Sequence, residues 1–167
     1  RKSAKDAWKR FQLMEWLKDL NRTDRLNEVG AGLIGDLGVD VLLKSSFASK
    51  LERLDLKNND LTDVSVIALS RSEKLKRLVS LNLSKNNITD AGAKALAGSS
   101  SLGKLKKLDL NFNRIGDEGA RAIARSPNFA NLESLKLGQN KIGTEGAQAL
   151  NESKTLQNLI HPIFGFY

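Results

Sequence analysis

An asparagine recurs every 27 residues, at Asn59, Asn86, Asn113 and Asn140, each time inside the frame L-x-x-L-x-L-x-x-N-x-(L/I). Leu51, Leu54, Leu56 and Leu61 set the frame, and Leu78, Leu81, Leu83 and Ile88 repeat it. Leu105, Leu108, Leu110 and Ile115 follow, then Leu132, Leu135, Leu137 and Ile142. A unit of this size cannot bury its own apolar face. A fixed period therefore predicts a stacked array in which each coil completes the core of its neighbour.

Other columns keep the same spacing. Leu42, Leu69, Leu96, Ile123 and Leu150 form one, and Ser45, Ser72, Ser99, Ser126 and Ser153 another. Ala48, Leu75, Leu102, Phe129 and Leu156 form a third, mostly apolar column. Register kept without insertions predicts uniform turns of a solenoid rather than a chance leucine-rich core.

Each unit has two halves. In Leu54-Asp55-Leu56 the alternation puts leucines inside and the intervening residue outside, as in a strand. Residues 90–97 and 117–124 are alanine-rich segments opening on Asp90 and Asp117, and they predict short helices whose free N–H groups the acid can cap. Gly92, Gly119 and Gly146 carry no side chain, which predicts close approach of the helix to the sheet; Ser65 departs from this column. The Asn column is expected to serve structure. Where the strand turns outward, buried backbone groups lose their ladder partners, and an amide supplies both donors and an acceptor.

These motifs resemble the leucine-rich repeat family over about Ile34 to Leu159, and within it the ribonuclease-inhibitor-like subclass, whose units carry a convex helix. The D-x-G-A-x-A-L-A segments are similar to intracellular members of that subclass. The resemblance implies an α/β fold: a right-handed solenoid with a concave parallel β-sheet and short convex helices. It also implies a surface used mainly to bind proteins.

The 167 residues suffice for one domain with an ample core. The chain has no Cys, so disulfides and thiolate metal sites are excluded, and the Cys-rich end caps that secreted relatives share are missing. Glycosylation patterns at Asn21, Asn82, Asn87 and Asn151 are of a kind common by chance. No apolar run is long enough to span a membrane and no signal peptide is visible. An intracellular, cytoplasmic setting is expected.

Two regions are expected: an N-terminal amphipathic helical cap over 1–25 and the repeat array over 26–167. In the cap, Ala4, Ala7, Trp8, Phe11 and Met14 share one side, whereas Leu13, Trp16, Leu17 and Leu20 take the other. This reads as a helix, or two segments with a break, covering the first coil; alternatively Trp8 and Phe11 meet another domain or subunit. At the far end, Leu159, Pro162 and Phe164 fall on the strand leucines and Tyr167 on the Asn position. That is either a degenerate capping strand or a point where a longer array was cut.

Some motifs point away from their usual chemistry. Gly30, Gly32 and Gly35 match the spacing of a dinucleotide-binding loop, with Asp55 where a ribose-binding acid would stand. However, residues 25–29 make a poor strand and no second nucleotide-binding half follows. His161 is the only histidine, which leaves a His-based triad or a histidine metal cluster unsupported. The repeats place no carboxylate pair for acid–base work. Neither enzyme activity nor a cofactor or metal is expected.

Alternation leaves Arg53, Asp55, Lys57, Ser80, Asn82, Ser84, Lys107, Asp109, Asn111, Ser134, Lys136 and Gly138 outward, with Asn58, Lys85, Phe112 and Gln139 on the rim. Phe112 stands out because its counterparts are polar; it either anchors an interface or folds over the rim onto the next coil. The candidate protein-binding residues are Arg53, Asp55, Lys57, Asn82, Lys85, Lys107, Asp109, Asn111, Phe112 and Lys136.

The net charge of +8 favours an acidic partner. Lys50, Arg53, Lys74, Lys76, Arg77, Lys104, Lys106 and Lys107 cluster where helices return to strands, a ridge that can track phosphates. Only 5% of residues are aromatic, which argues against a base-stacking platform. The expected function is non-catalytic protein recognition on the concave strands. The alternatives are a structural part of a larger assembly, held through Trp8, Phe11 and Phe166, and a basic module binding nucleic acid or another polyanion.

Overall fold

A computed structural model of the protein describes residues 34–160. The segment 1–25, with Trp8 and Phe11, and the terminal Phe166 lie outside the described residues. Within them, strands and helices alternate: α1 Gly35–Lys44, β1 Arg53–Asp55, α2 Asp63–Arg71, β2 Ser80–Asn82, α3 Asp90–Ala97, β3 Lys107–Asp109, α4 Asp117–Ala124, β4 Ser134–Lys136 and α5 Thr144–Asn151. A 3-10 turn precedes each strand, as at Phe47–Lys50 and Pro127–Phe129.

The strands form one parallel sheet in the order β1-β2-β3-β4, and Leu54, Leu81, Leu108 and Leu135 stand in a single register row. Successive coils thus pile up one period apart. The frame leucines all enter one continuous core, which Leu69, Leu96, Ile123 and Phe129 extend toward the helices. Each strand is only three residues long because the chain must leave the sheet to reach its helix, and no unit closes without the next.

Three polar ladders join the coils. In the first, the Asn86 amide donates to the carbonyls of Leu56, Leu83 and Ser84 at 3.0, 2.9 and 3.2 Å, while its oxygen accepts the N–H groups of Asn59 and Leu61. Asn113 does the same one coil on, donating to Leu83, Leu110 and Asn111 and accepting from Ile88. Asn140 donates to Leu110, Leu137 and Gly138 and accepts from Ile115. Each amide closes carbonyls of its own coil and of the coil before it.

The second ladder is carboxylate. The acid in the first turn of each of α1 to α4 caps the following helix rather than its own. Asp63 Oδ1 accepts the N–H groups of Thr89 and Gly92 at 2.9 and 3.0 Å, and its Oδ2 accepts the Thr89 hydroxyl. Asp90 accepts from Gly116 and Gly119, and Asp117 from Gly143 and Gly146. A carboxylate at a helix N-terminus satisfies orphan donors and complements the dipole.

The glycine column answers to more than close approach to the sheet. A Cβ on Gly92, Gly119 or Gly146 would stand 2.5–2.6 Å from the carboxylate of the preceding coil and 2.7–2.8 Å from the frame isoleucine of its own, so the glycine makes room for both. Ser65, the exception, turns its hydroxyl to donate to Asp36.

The third ladder is hydroxyl. Ser99, Ser126 and Ser153 donate to the carbonyls of Ser70, Ala97 and Ala124, at the C-terminal ends of the preceding helices.

Candidate functional site

The strand face is built from residues that the ladders do not use. Arg53, Lys107 and Lys136 are exposed, whereas Asp55, Lys57, Asn82, Asp109 and Asn111 are half-buried. The half-burial has a local cause. Asp55 accepts the Lys57 N–H at 3.0 Å, Asn82 accepts the N–H and hydroxyl of Ser84, and Asp109 accepts the Asn111 N–H. Asn111 in turn accepts the Gly138 N–H at 2.7 Å. These are turns in which an Asx side chain bonds its own backbone two residues on, or that of the next coil. Ser84, expected to face outward, is instead buried and donates its hydroxyl to the Asn82 oxygen. The Asp109 carboxylate also stands 3.9 Å from the Lys136 ammonium.

Asn58, Lys85, Phe112 and Gln139 form the strand-exit rim, and all four have positive φ, from 55° to 56°. Their column is where the chain reverses out of the sheet. Asn accepts this left-handed backbone readily, but a bulky ring does so only at a cost. Phe112 is nevertheless 51% exposed, and the Lys85 ammonium lies 5.6 Å from its ring centroid. That separation is within cation–π range.

Beyond the Asn ladder, the column Asp60, Asn87, Arg114 and Lys141 changes from acid to base along the array. Asn87 donates to Asp60 at 2.8 Å, while the exposed side chains of Arg114 and Lys141 make no ion pair among the described residues. Neither was singled out from sequence. The signal was available in the residue that follows each ladder Asn, whose charge changes sign.

On the opposite edge the basic ridge is interleaved with acid. Arg77 pairs with Glu52 at 2.8 Å, Lys106 with Glu133 at 2.9 Å, and Lys76 with Glu73. The Lys76 hydrogen bond and charge hold Glu73 below its ordinary pKa. Lys74 donates to the Ser45 carbonyl. A shallow groove of about 490 Å³ lies along this edge, lined by Val79, Lys104, Lys106, Asn131, Glu133 and Asn158. Among the described residues there is no group of three His, Cys, Asp or Glu able to hold a metal ion, and no helix long and apolar enough to cross a membrane.

Comparison with known proteins agrees with this geometry. Residues 49–115 match a leucine rich repeat model and residues 130–150 a second one, between them just over half of the chain. These two stretches carry leucine-rich repeats, which generally mediate protein–protein interaction. An internalin (inlF) from Listeria monocytogenes str. 4b F2365 is similar at 20% identity and a TM-score of 0.29, over 66% of this chain and 47% of its own. This chain thus spans under half of that internalin's length. No curated protein matches it.

Proposed function

We propose that this chain is a non-catalytic recognition module that docks a partner protein on its concave strand face. One observation carries the reading: the repeating polar columns are occupied with joining coils, while the exposed strand positions vary freely. Along one row of the sheet the residues are Arg53, Ser80, Lys107 and Ser134, with no structural rule dictating their identity. Such variation on a fixed frame is what a binding surface requires.

Exposed Arg53, Lys107 and Lys136 steer the partner, and Phe112 supplies an apolar anchor. The strand–helix alternation supports a reading as a ribonuclease-inhibitor-like member, and the lack of Cys suits an intracellular setting. The polyanion reading draws less support, because half of the ridge cations already have an acid or carbonyl partner.

Affinity capture from native extract tests the proposal. Asp109→Arg and Phe112→Ala are expected to abolish partner capture while leaving the protein folded. Capture that survives both but is lost on Trp8→Ala would favour the alternative of an assembly held through Trp8, Phe11 and Phe166.

A further inference from the structure

We infer that the strand-exit rim around Phe112 docks an acidic protein segment carrying an apolar side chain, an inference that rests on the protein-recognition reading and names the partner's chemistry. Phe112 holds a left-handed backbone at φ 55°, yet half of its surface faces solvent. The scaffold does not require the ring there, since Asn58, Lys85 and Gln139 fill the same turn with polar side chains.

The flanking charge is one-sided. Lys85 reaches over the ring, while Arg114 and Lys141 follow in the next column, exposed and unpaired by acid among the described residues. The single acid in these two columns is Asp60, which lies two coils from Phe112 and takes the Asn87 amide. An apolar ring set among three cations complements a segment in which Asp or Glu flanks a large apolar residue. The ridge on the other edge differs, because Glu52, Glu73 and Glu133 pair with three of its cations, and Phe47, in the Lys74 column, packs partly buried against the core.

A fluorescein-labelled dodecapeptide with a central Trp flanked by Glu on both sides is the probe, read by fluorescence anisotropy. Its controls are the Glu-to-Gln peptide, the Trp-to-Ala peptide and single-stranded oligothymidylate. The parent is expected to bind the acidic Trp peptide, and either Phe112→Asn or the pair Arg114→Glu with Lys141→Glu to weaken it by about tenfold or more. Phe112→Asn remains folded, because Asn accepts the left-handed turn. Lys94→Glu, exposed on α3 and outside both the rim and the strand face, is expected to change binding by no more than about twofold.

The inference is overturned if the parent does not bind the acidic peptide, if the Gln peptide binds equally well, or if the rim variants bind like the parent. Equal binding of oligothymidylate, lost on the same substitutions, would make the rim a phosphate site instead. If Lys107→Glu and Asp109→Arg weaken the peptide while the rim variants do not, recognition lies on the strand floor. This inference then fails and the proposed function stands.

Discussion

The carboxylate of Asp90 occupies the space that a side chain on Gly119 would need: a Cβ built there would sit 2.6 Å from Asp90 Oδ1, which accepts the Gly119 N–H at 2.9 Å. The two residues lie in successive coils, so one acid and one glycine together weld the start of α4 to the start of α3. Helix propensity alone would make Gly119→Ala stabilising by about 1 kcal/mol. Overpacking against Asp90, Ile115 and Ala93 costs about 1–3 kcal/mol and wins. Asp90→Ala removes a cap and is expected to cost about 1–2 kcal/mol. Because the second change relieves part of the clash in the first, the double variant should lose less than the sum. Urea denaturation of the four proteins measures this, and strictly additive losses would refute the account of the glycine column.

Asn86 and Asn113 bridge coils in the buried interior, each donating to three carbonyls. Replacing either with Ala leaves those groups without partners in a site water does not reach, at an expected cost of about 1–3 kcal/mol each. Asn140 is only half-buried, so water can take over part of its role and Asn140→Ala should cost less. Equal melting of all three variants and the parent would remove the amide ladder as a source of stability.

Much of this fold was legible because its rules are local and periodic. The alternation in Leu81-Asn82-Leu83 declares a strand face, and the Asn period declares the stacking distance. What escaped was coupling between coils. Asp90 reads locally as the cap of its own helix, and only the stacked geometry hands it to Gly116 and Gly119. The left-handed turn at Phe112 escaped for a different reason. Its sequence column mixes Asn, Lys, Phe and Gln, and no glycine marks it. The exposed rim beyond it was equally silent, since Arg114 and Lys141 acquire meaning only beside that ring.

Asp36 shows how the carboxylate ladder responds to acid. Burial alone would raise its pKa, but the hydroxyls of Ser65 and Thr62 and the N–H groups of Thr62 and Ser65 outweigh it, holding the carboxyl below its ordinary value of 3.8. A folded-state pKa below the unfolded one means that the unfolded chain binds more protons in acid. The stabilisation is therefore fully present above the unfolded value and is lost as pH falls through the folded one. Urea midpoints measured from about pH 5 down to about pH 2 should fall for the parent. Asp36→Asn should be less stable at neutral pH and show a shallower acid decline. An identical decline in the variant would exclude Asp36 as a contributor.

Phe112 offers a case in which removing a large apolar side chain should do little harm to the fold. A residue other than Gly in the left-handed region costs about 1–2 kcal/mol, and Asn is among the residues that tolerate it best. Against that gain stand an exposed cation–π contact with Lys85, worth about 0.5–1 kcal/mol, and the contacts of the buried half of the ring. The terms nearly cancel, so Phe112→Asn is expected to stay within about 1 kcal/mol of the parent, or slightly above it. Leu110, two residues earlier and fully buried, should behave quite differently, with Leu110→Ala costing about 2–5 kcal/mol. Urea midpoints at unchanged slope separate the two cases. A loss at Phe112 approaching that at Leu110 would mean that the ring is part of the packed scaffold, and the rim would no longer have a free anchor to offer a partner.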